Sequence, residues 1–277
     1  MSNCSTIRNI FIFFFLALLS FQVQAEKVYI GSLSSPTLAD LEKIINKDTI
    51  VFINLDETII TPKSNMFRYG SPYKNTLESI IAKSNNDPYL NSVINTFLNN
   101  RKMMLIENDW LKFIEELKQK SPMVIGLSKM NSGVYRSFKT PEDWKYKELE
   151  SLGIKFTDKI ADKDAFIVKS LKFPDAVFYK GILFTGIFTK SEAILAFLKM
   201  TELSPKVIIV IDSIESDVEQ LELSFSRNFN GRYFVVSYLG AKNIQGKIDL
   251  KLIEFQYKQL MQKGKWLEDE EAVNILR

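Results

Sequence analysis

One apolar run leads straight into three polar side chains. Ile50-Val51-Phe52-Ile53 is followed by Asn54, Asp56 and Thr58, with Leu55 and Glu57 between them. A run this short and this apolar is expected to form a fully buried strand of a parallel sheet. Ligands of open α/β sheets bind beyond the carboxyl ends of the strands, so Asn54 and Asp56 stand where chemistry would occur. The chain has no histidine, and its one cysteine is Cys4. Ser-His-Asp triads, histidine metal sites and cysteine-based zinc sites or nucleophiles beyond Cys4 are therefore excluded. What remains is chemistry by carboxylates, lysines, hydroxyls and a hard cation held by oxygen, such as Mg²⁺.

The pattern recurs along the chain. Val124-Ile125-Gly126-Leu127 runs into Ser128, and Val207 to Ile211 runs into Asp212 and Ser213, with Asp217 shortly after. Lys190 opens an expected helix between these two strands. A lysine at that end opposes the helix dipole unless an anion is near. Each residue also has an ordinary structural use. Asp56 and Thr58 suit local backbone capping, and Asp212 suits a helix N-cap. A hydroxyl after a buried strand and an exposed lysine are both common.

Taken in order, these segments resemble the haloacid-dehalogenase-like (HAD) superfamily, whose first motif is an apolar strand followed by D-x-D-x-T. The likeness runs from Asn54 to Asp212. Residues 179–241, with G-I-L-F-T-G, the lysine-led helix and I-D-S, look most similar to an uncharacterised bacterial branch of exported HAD-like proteins. The tail Trp266-Leu267-Glu268-Asp269 is similar to that branch too. The resemblance implies a catalytic set of Asn54, Asp56, Ser128 and Lys190. It implies phosphate binding by Thr58, Ser128 and Lys190, and Mg²⁺ held by Asn54, Asp56, Asp212 and Asp217. Lys180 competes with Lys190, which is preferred because one helix separates it from Asp212, as in the family.

The first position departs from the family: it is Asn54, where the nucleophilic aspartate is expected. A carboxamide has nearly the same shape, but it is neutral and its oxygen is poorly nucleophilic. One anionic metal ligand is lost as well. The expectation is a phosphate-binding pocket impaired in catalysis, recognising a phosphorylated small molecule or an unidentified protein. The alternative is a Mg²⁺-dependent phosphohydrolase acting on a phosphomonoester with Asp56 as nucleophile. That alternative requires the strand to continue through Leu55 and leaves a buried Asn54 amide to satisfy.

The elements that must position these residues follow from the rest of the sequence. A helix is expected over Pro36–Lys47 with Ser35 as N-cap, and another from an Asn108 cap through Lys118. Thr140-Pro141 opens a third helix, ended by Gly153, and Ile154-Lys155-Phe156 begins a short strand. Ala176 to Thr185 reads as a hairpin turning at Lys180-Gly181. Tyr233–Ser237 reads as the last strand, followed by two C-terminal helices. Alternation of strands and helices predicts an α/β fold, a doubly wound parallel sheet. With the resemblance, residues 26–61 and 102–277 form a HAD-like Rossmannoid core, and 62–101 a small, mostly helical cap insert.

The first residues read as a leader. Arg8 precedes an apolar stretch from Ile10 to Phe21, and Val23-Gln24-Ala25 offers a signal peptidase cut before Glu26. The expectation is a signal peptide over 1–25 and a periplasmic or secreted protein, or an uncleaved membrane anchor. A net charge of +3 with interspersed signs makes no case for nucleic acid.

Overall fold

The computed structural model describes residues 25–84, 86–131, 141–169, 175–244 and 248–277. The expected leader, with Arg8 and Cys4, lies outside the described residues apart from Ala25, as does Thr140. Among the described residues no helix is long and apolar enough to cross a membrane.

Strands alternate with helices along the chain. Strand β1 (Ala25–Ile30) precedes helix α1 (Pro36–Ile44) and strand β2 (Thr49–Asn54). Short strands β3 (Ile60–Pro62) and β4 (Met103–Leu105) flank helices α2 (Lys74–Ser84) and α3 (Pro88–Asn100). Then come α4 (Trp110–Lys120), β5 (Met123–Ser128) and α5 (Pro141–Ser151). Strands β6 (Ala165–Val168), β7 (Ala176–Tyr179) and β8 (Ile182–Phe184) follow. The chain continues through α6 (Lys190–Met200), β9 (Val207–Asp212), α7 (Glu215–Asn228) and β10 (Arg232–Tyr238). It ends with α8 (Leu250–Lys263) and α9 (Asp269–Leu276).

The main sheet has the order β1-β10-β9-β2-β5-β8-β7-β6. Pairing is parallel from β1 across to β8, and antiparallel for β8 with β7 and β7 with β6. Side chains on a strand alternate between faces. Val51, Ile53, Ile209 and Ile211 pack with α1 and α4, while Phe52, Ile208 and Val210 pack with α6 and α7. Helices therefore cover both faces, and the central strands must be apolar throughout. Each fully buried side chain of this size contributes about 1.5–3 kcal/mol of transfer free energy. The α/β fold with a mostly parallel sheet is as the periodicity predicts.

Several local expectations need correction. Ile154–Phe156 is not a strand. It is an irregular segment lying across β5, and its ring Phe156 sits so close to Gly126 that a Cβ there would come within 2.8 Å. Burial of Ile154 and Phe156 explains why the segment reads as strand-like. Asp109, not Asn108, precedes α4, and Ser35 precedes α1 without a side-chain capping bond. The hairpin turn is as expected. Lys180 (φ 44°) and Gly181 (φ 84°) both take positive φ, as the favoured two-residue hairpin turn requires.

Residues 62–101 are mostly helical, and they do not bury their apolar faces alone. Met66, Phe67, Val93 and Phe97 share one core with Ile253, Leu260 and Trp266. Trp266 stacks on Phe67 and meets Phe97 edge-on, with centroids 6.1 and 4.8 Å apart. The helical lobe thus combines the insert with α8 and the segment before α9.

Candidate functional site

Strands β2, β5 and β9 are neighbours in parallel register, with Asn54 opposite Leu127 and Ile53 opposite Ile211. Their shared direction brings Asn54, Ser128 and Asp212 to one edge of the sheet. Beyond Asn54 the chain turns sharply. Leu55 O accepts from the N–H groups of Thr58, Ile59 and Ile60, and Glu57 adopts a left-handed φ of 61°. This turn folds Thr58 back beneath Asn54.

The Asn54 carboxamide is buried and spends its N–H groups locally. Nδ2 donates to Asp56 O at 2.7 Å and to Thr58 Oγ1 at 2.9 Å. Thr58 Oγ1 also accepts from Ser213 N and donates to Ser213 Oγ, so the loops after β2 and β9 are tied together. Ser128 Oγ accepts from Met130 N at 3.3 Å. These hydroxyls hold their own loops together.

Lys190 lies on the first turn of α6, whose Thr189–Glu192 capping box fixes the helix start. Its Nζ is 2.5 Å from Asp212 Oδ2 and 2.9 Å from Asp217 Oδ2. All three side chains are sealed from solvent. Asp212 Oδ1 accepts from Ile214 N, while Asp217 Oδ1 meets Lys129 at 2.5 Å. Burial pushes the Asp212 carboxyl up, beyond what Lys190 offsets. Burial also acts on Asp217, but Lys190 and Lys129 outweigh it and hold that carboxyl below the usual range.

Asp56 differs from these carboxylates because half of its side chain, 50%, is exposed. Its Oδ1 is 2.8 Å from Nζ of Lys145 on α5. Lys145 itself is buried and also meets Glu148 at 2.7 Å. Glu148 in turn holds Arg101 at 3.0 Å. The desolvating cleft raises the Asp56 carboxyl, but Lys145, Arg101 and Lys190 together bring it below its ordinary value. Glu148 is lowered too, because Lys145 and Arg101 outweigh its burial. Lys145 is raised, since Asp56 and Glu148 outweigh its desolvation. Partly buried Glu57, beside Lys74 at 3.9 Å, is pushed up by desolvation.

Residues 34–273 match the family DUF2608, described as a protein of unknown function. The chain belongs to this family. It is 32% identical over 246 residues to an uncharacterized protein of Rickettsia prowazekii (strain Madrid E), covering 88% of this chain and 89% of that one. A second uncharacterized protein of the same strain is 23% identical over 266 residues, covering 90% and 88%. An uncharacterized protein of Rickettsia bellii (strain RML369-C) is 22% identical over 246 residues, covering 82% of each chain. No solved structure matches.

In this DUF2608 chain, Asn54, Asp56, Thr58, Ser128, Lys190, Asp212 and Asp217 gather at the carboxyl edge of the sheet. Lys180 does not. It lies at the β7–β8 turn, on the far side of β8 from Thr185, with its ammonium over the Tyr146 ring at 4.5 Å. The four residues expected to hold Mg²⁺ do not fit a hard dication in this arrangement. Such an ion needs oxygen lone pairs aimed at one point. Here Asp212 and Asp217 face Lys190, Asp56 faces Lys145, and Asn54 presents N–H groups to the Asp56 carbonyl. Among the described residues no three acidic, histidine or cysteine side chains gather for a metal.

Sequence reasoning missed Lys145, Glu148 and Arg101. Lys145 and Glu148 stand at i and i+3 of α5 and Arg101 directly follows α3, and no sequence motif marks any of them. Lys129 and Ser213 adjoin recognised residues without a motif of their own. Thr185 lies beside Ser128 through its N–H to Ser128 O at 2.8 Å. Its buried hydroxyl has no partner among the described residues.

Proposed function

We propose that this DUF2608 protein is an exported, HAD-like protein whose strand-end site recognises a phosphorylated ligand and is impaired in turnover. One observation carries the reading. The side chain at the first motif position, Asn54, is a buried amide that donates to the Asp56 carbonyl, where turnover requires an anionic oxygen. In this reading Lys129 and Lys190 exchange a carboxylate partner for phosphate oxygens. That replaces one charge-assisted bond by another of similar kind. The insert of residues 62–101, packed on α8 in the helical lobe, acts as the cap, and Mg²⁺ binding in the wild type is weak or absent.

A second reading has its own support. Asp56 is half exposed, while Asp212 and Asp217 are sealed, and the Asn54 amide is satisfied, but β2 ends at Asn54 and does not run through Leu55 as a shifted register requires. Asp56 would then be the nucleophile of a phosphomonoester hydrolase, with Lys145 balancing its charge.

Phosphatase assays of the mature wild type, Asn54→Asp and Asp56→Asn across a phosphoester panel, with and without Mg²⁺, separate the two. The impaired-site reading expects an inactive wild type and Mg²⁺-dependent activity in Asn54→Asp. A wild type that is active, and silenced by Asp56→Asn, establishes the second reading instead.

A further inference from the structure

A cavity of about 500 Å³ lies between the helical lobe and α5, beside the strand-end cluster. Its size is within the range of small-molecule sites, about 300–1,000 Å³. The apolar part of its wall comes from Leu98, Met103, Leu152 and the indole of Trp144. Lys63, Arg101, Lys102 and Lys147 supply positive charge, against one lining carboxylate, Glu148.

The cations are unequally engaged. Arg101 is held by Glu148 at 3.0 Å and its guanidinium lies 5.5 Å from the Trp144 ring centroid. Lys147 pairs with Asp143 at 2.7 Å on the same helix. Among the described residues the Lys63 ammonium has only a long contact of 3.5 Å to Glu270, a side chain that is 84% exposed. A pair so open to water contributes little, so Lys63 is free to turn to a stronger anion. Lys102 is exposed at the rim. The lining therefore has an excess of positive charge over an apolar and aromatic wall.

We propose that this cavity binds a small organic anion with a flat apolar body, its charge held at the rim by Lys63, Lys102 and Lys147. The body packs on Trp144, Met103 and Leu152, where apolar area is removed from water. A neutral ligand of the same shape lacks the rim contacts, and a bare inorganic anion lacks the wall. The proposal is independent of the strand-end reading, because none of these contacts uses Asn54, Lys190 or Asp212.

The probe is 1-naphthalenesulfonate, a non-hydrolysable aromatic anion, titrated into the mature protein and followed by calorimetry. The expected result is one site, with 1-naphthol and inorganic sulfate each at least about tenfold weaker. The Lys63→Glu/Lys102→Glu variant should bind the probe at least about tenfold more weakly, while Lys206→Glu, on a distant exposed pair with Asp48, binds as wild type does. Ser151→Trp, which fills the cavity without changing charge, should also abolish binding. Circular dichroism melts confirm that each variant is folded. Equal affinity for 1-naphthol, or binding unaffected by both the charge reversal and the filled cavity, overturns the proposal.

Discussion

Asn54 Nδ2 donates to the main-chain carbonyl of Asp56 across 2.7 Å. The bond reverses the polarity that a cation-holding strand end needs. A carbonyl and a carboxylate both offer lone pairs and converge only through a cation; an amide and a carbonyl converge directly. The same Nδ2 reaches Thr58 Oγ1, which ties in the loop after β9 through Ser213. A single side-chain nitrogen thus organises two loop ends.

Replacing that nitrogen by oxygen should carry a stability cost besides any change in activity. Asn54→Asp sets a carboxylate against the Asp56 carbonyl in a buried space. The expected loss is about 1–3 kcal/mol, the usual penalty for a buried polar group without its partner. Mg²⁺ should recover part of this loss in the variant and leave the wild type unchanged. Thermal melts with and without MgCl₂ test this. A wild type stabilised as much as the variant would show that the native donor set accepts the metal after all.

Lys190 is the pivot of the other half of the cluster. Lys190→Met leaves the buried Asp212 without a cation and Asp217 with Lys129 alone. Removing one partner from a buried ion pair typically costs about 3–5 kcal/mol. Adding Asp212→Asn to Lys190→Met should return part of that loss, because the stranded Asp212 charge is then gone. Urea unfolding of both variants measures the difference. Equal stability of the single variant and the wild type would mean that the three groups are not coupled.

How far the site was legible depends on what each residue announces locally. Asn54, Ser128 and Asp212 follow apolar runs, and a run too apolar to be amphipathic has to be a central strand. Their convergence then follows from parallel pairing alone. Lys145 carries no such mark. Its partner Asp56 is 89 positions earlier in the chain, and their ion pair is fixed by the docking of α5 against the β2 turn. Edge strand β1 has only a short alternating segment, Lys27-Val28-Tyr29-Ile30, too brief to stand out. Ile154 and Phe156 misled because burial was read as pairing: Phe156 packs on Gly126 and Ile154 joins the core, and neither holds a strand position.

The carboxylates around Lys145 should give stability a marked acid dependence. Asp56 and Glu148 have folded-state pKa values below their unfolded ones. Their contribution is present above the unfolded values, about 4, and is lost as pH falls through the folded values. Asp212 and Glu57, raised by burial, act in the opposite sense as pH rises from the unfolded toward the folded values. Glu148→Gln isolates one contribution. The variant should be less stable than wild type at pH 7, and the gap should close in acid as Glu148 of the wild type is protonated. A gap that stays constant from neutral pH into acid would mean that packing, not charge, sets the cost.

The helical lobe should loosen as one unit when its clasp is cut. Trp266 fills the space between Phe67 and Phe97, and its Nε1 donates to Glu268 Oε1 at 2.9 Å. Glu268 Oε1 also accepts from Lys102 N at 2.8 Å, just before β4. Asp269 accepts from Ser64 Oγ and from both the main chain and side chain of Asn65, just after β3. The two neighbouring carboxylates therefore grip both stems of the insert. Trp266→Ala removes the central ring and should cost about 3–5 kcal/mol, as for other buried aromatic truncations. Because the insert and α8 share this core, hydrogen exchange should rise together in residues 62–84, 86–101 and 250–263. Strands β2 and β9, whose packing does not involve Trp266, should keep their protection. Faster exchange confined to α8 would show that the insert stands without the C-terminal segment. A uniform rise through β2 and β9 would show that lobe and sheet unfold as one cooperative body.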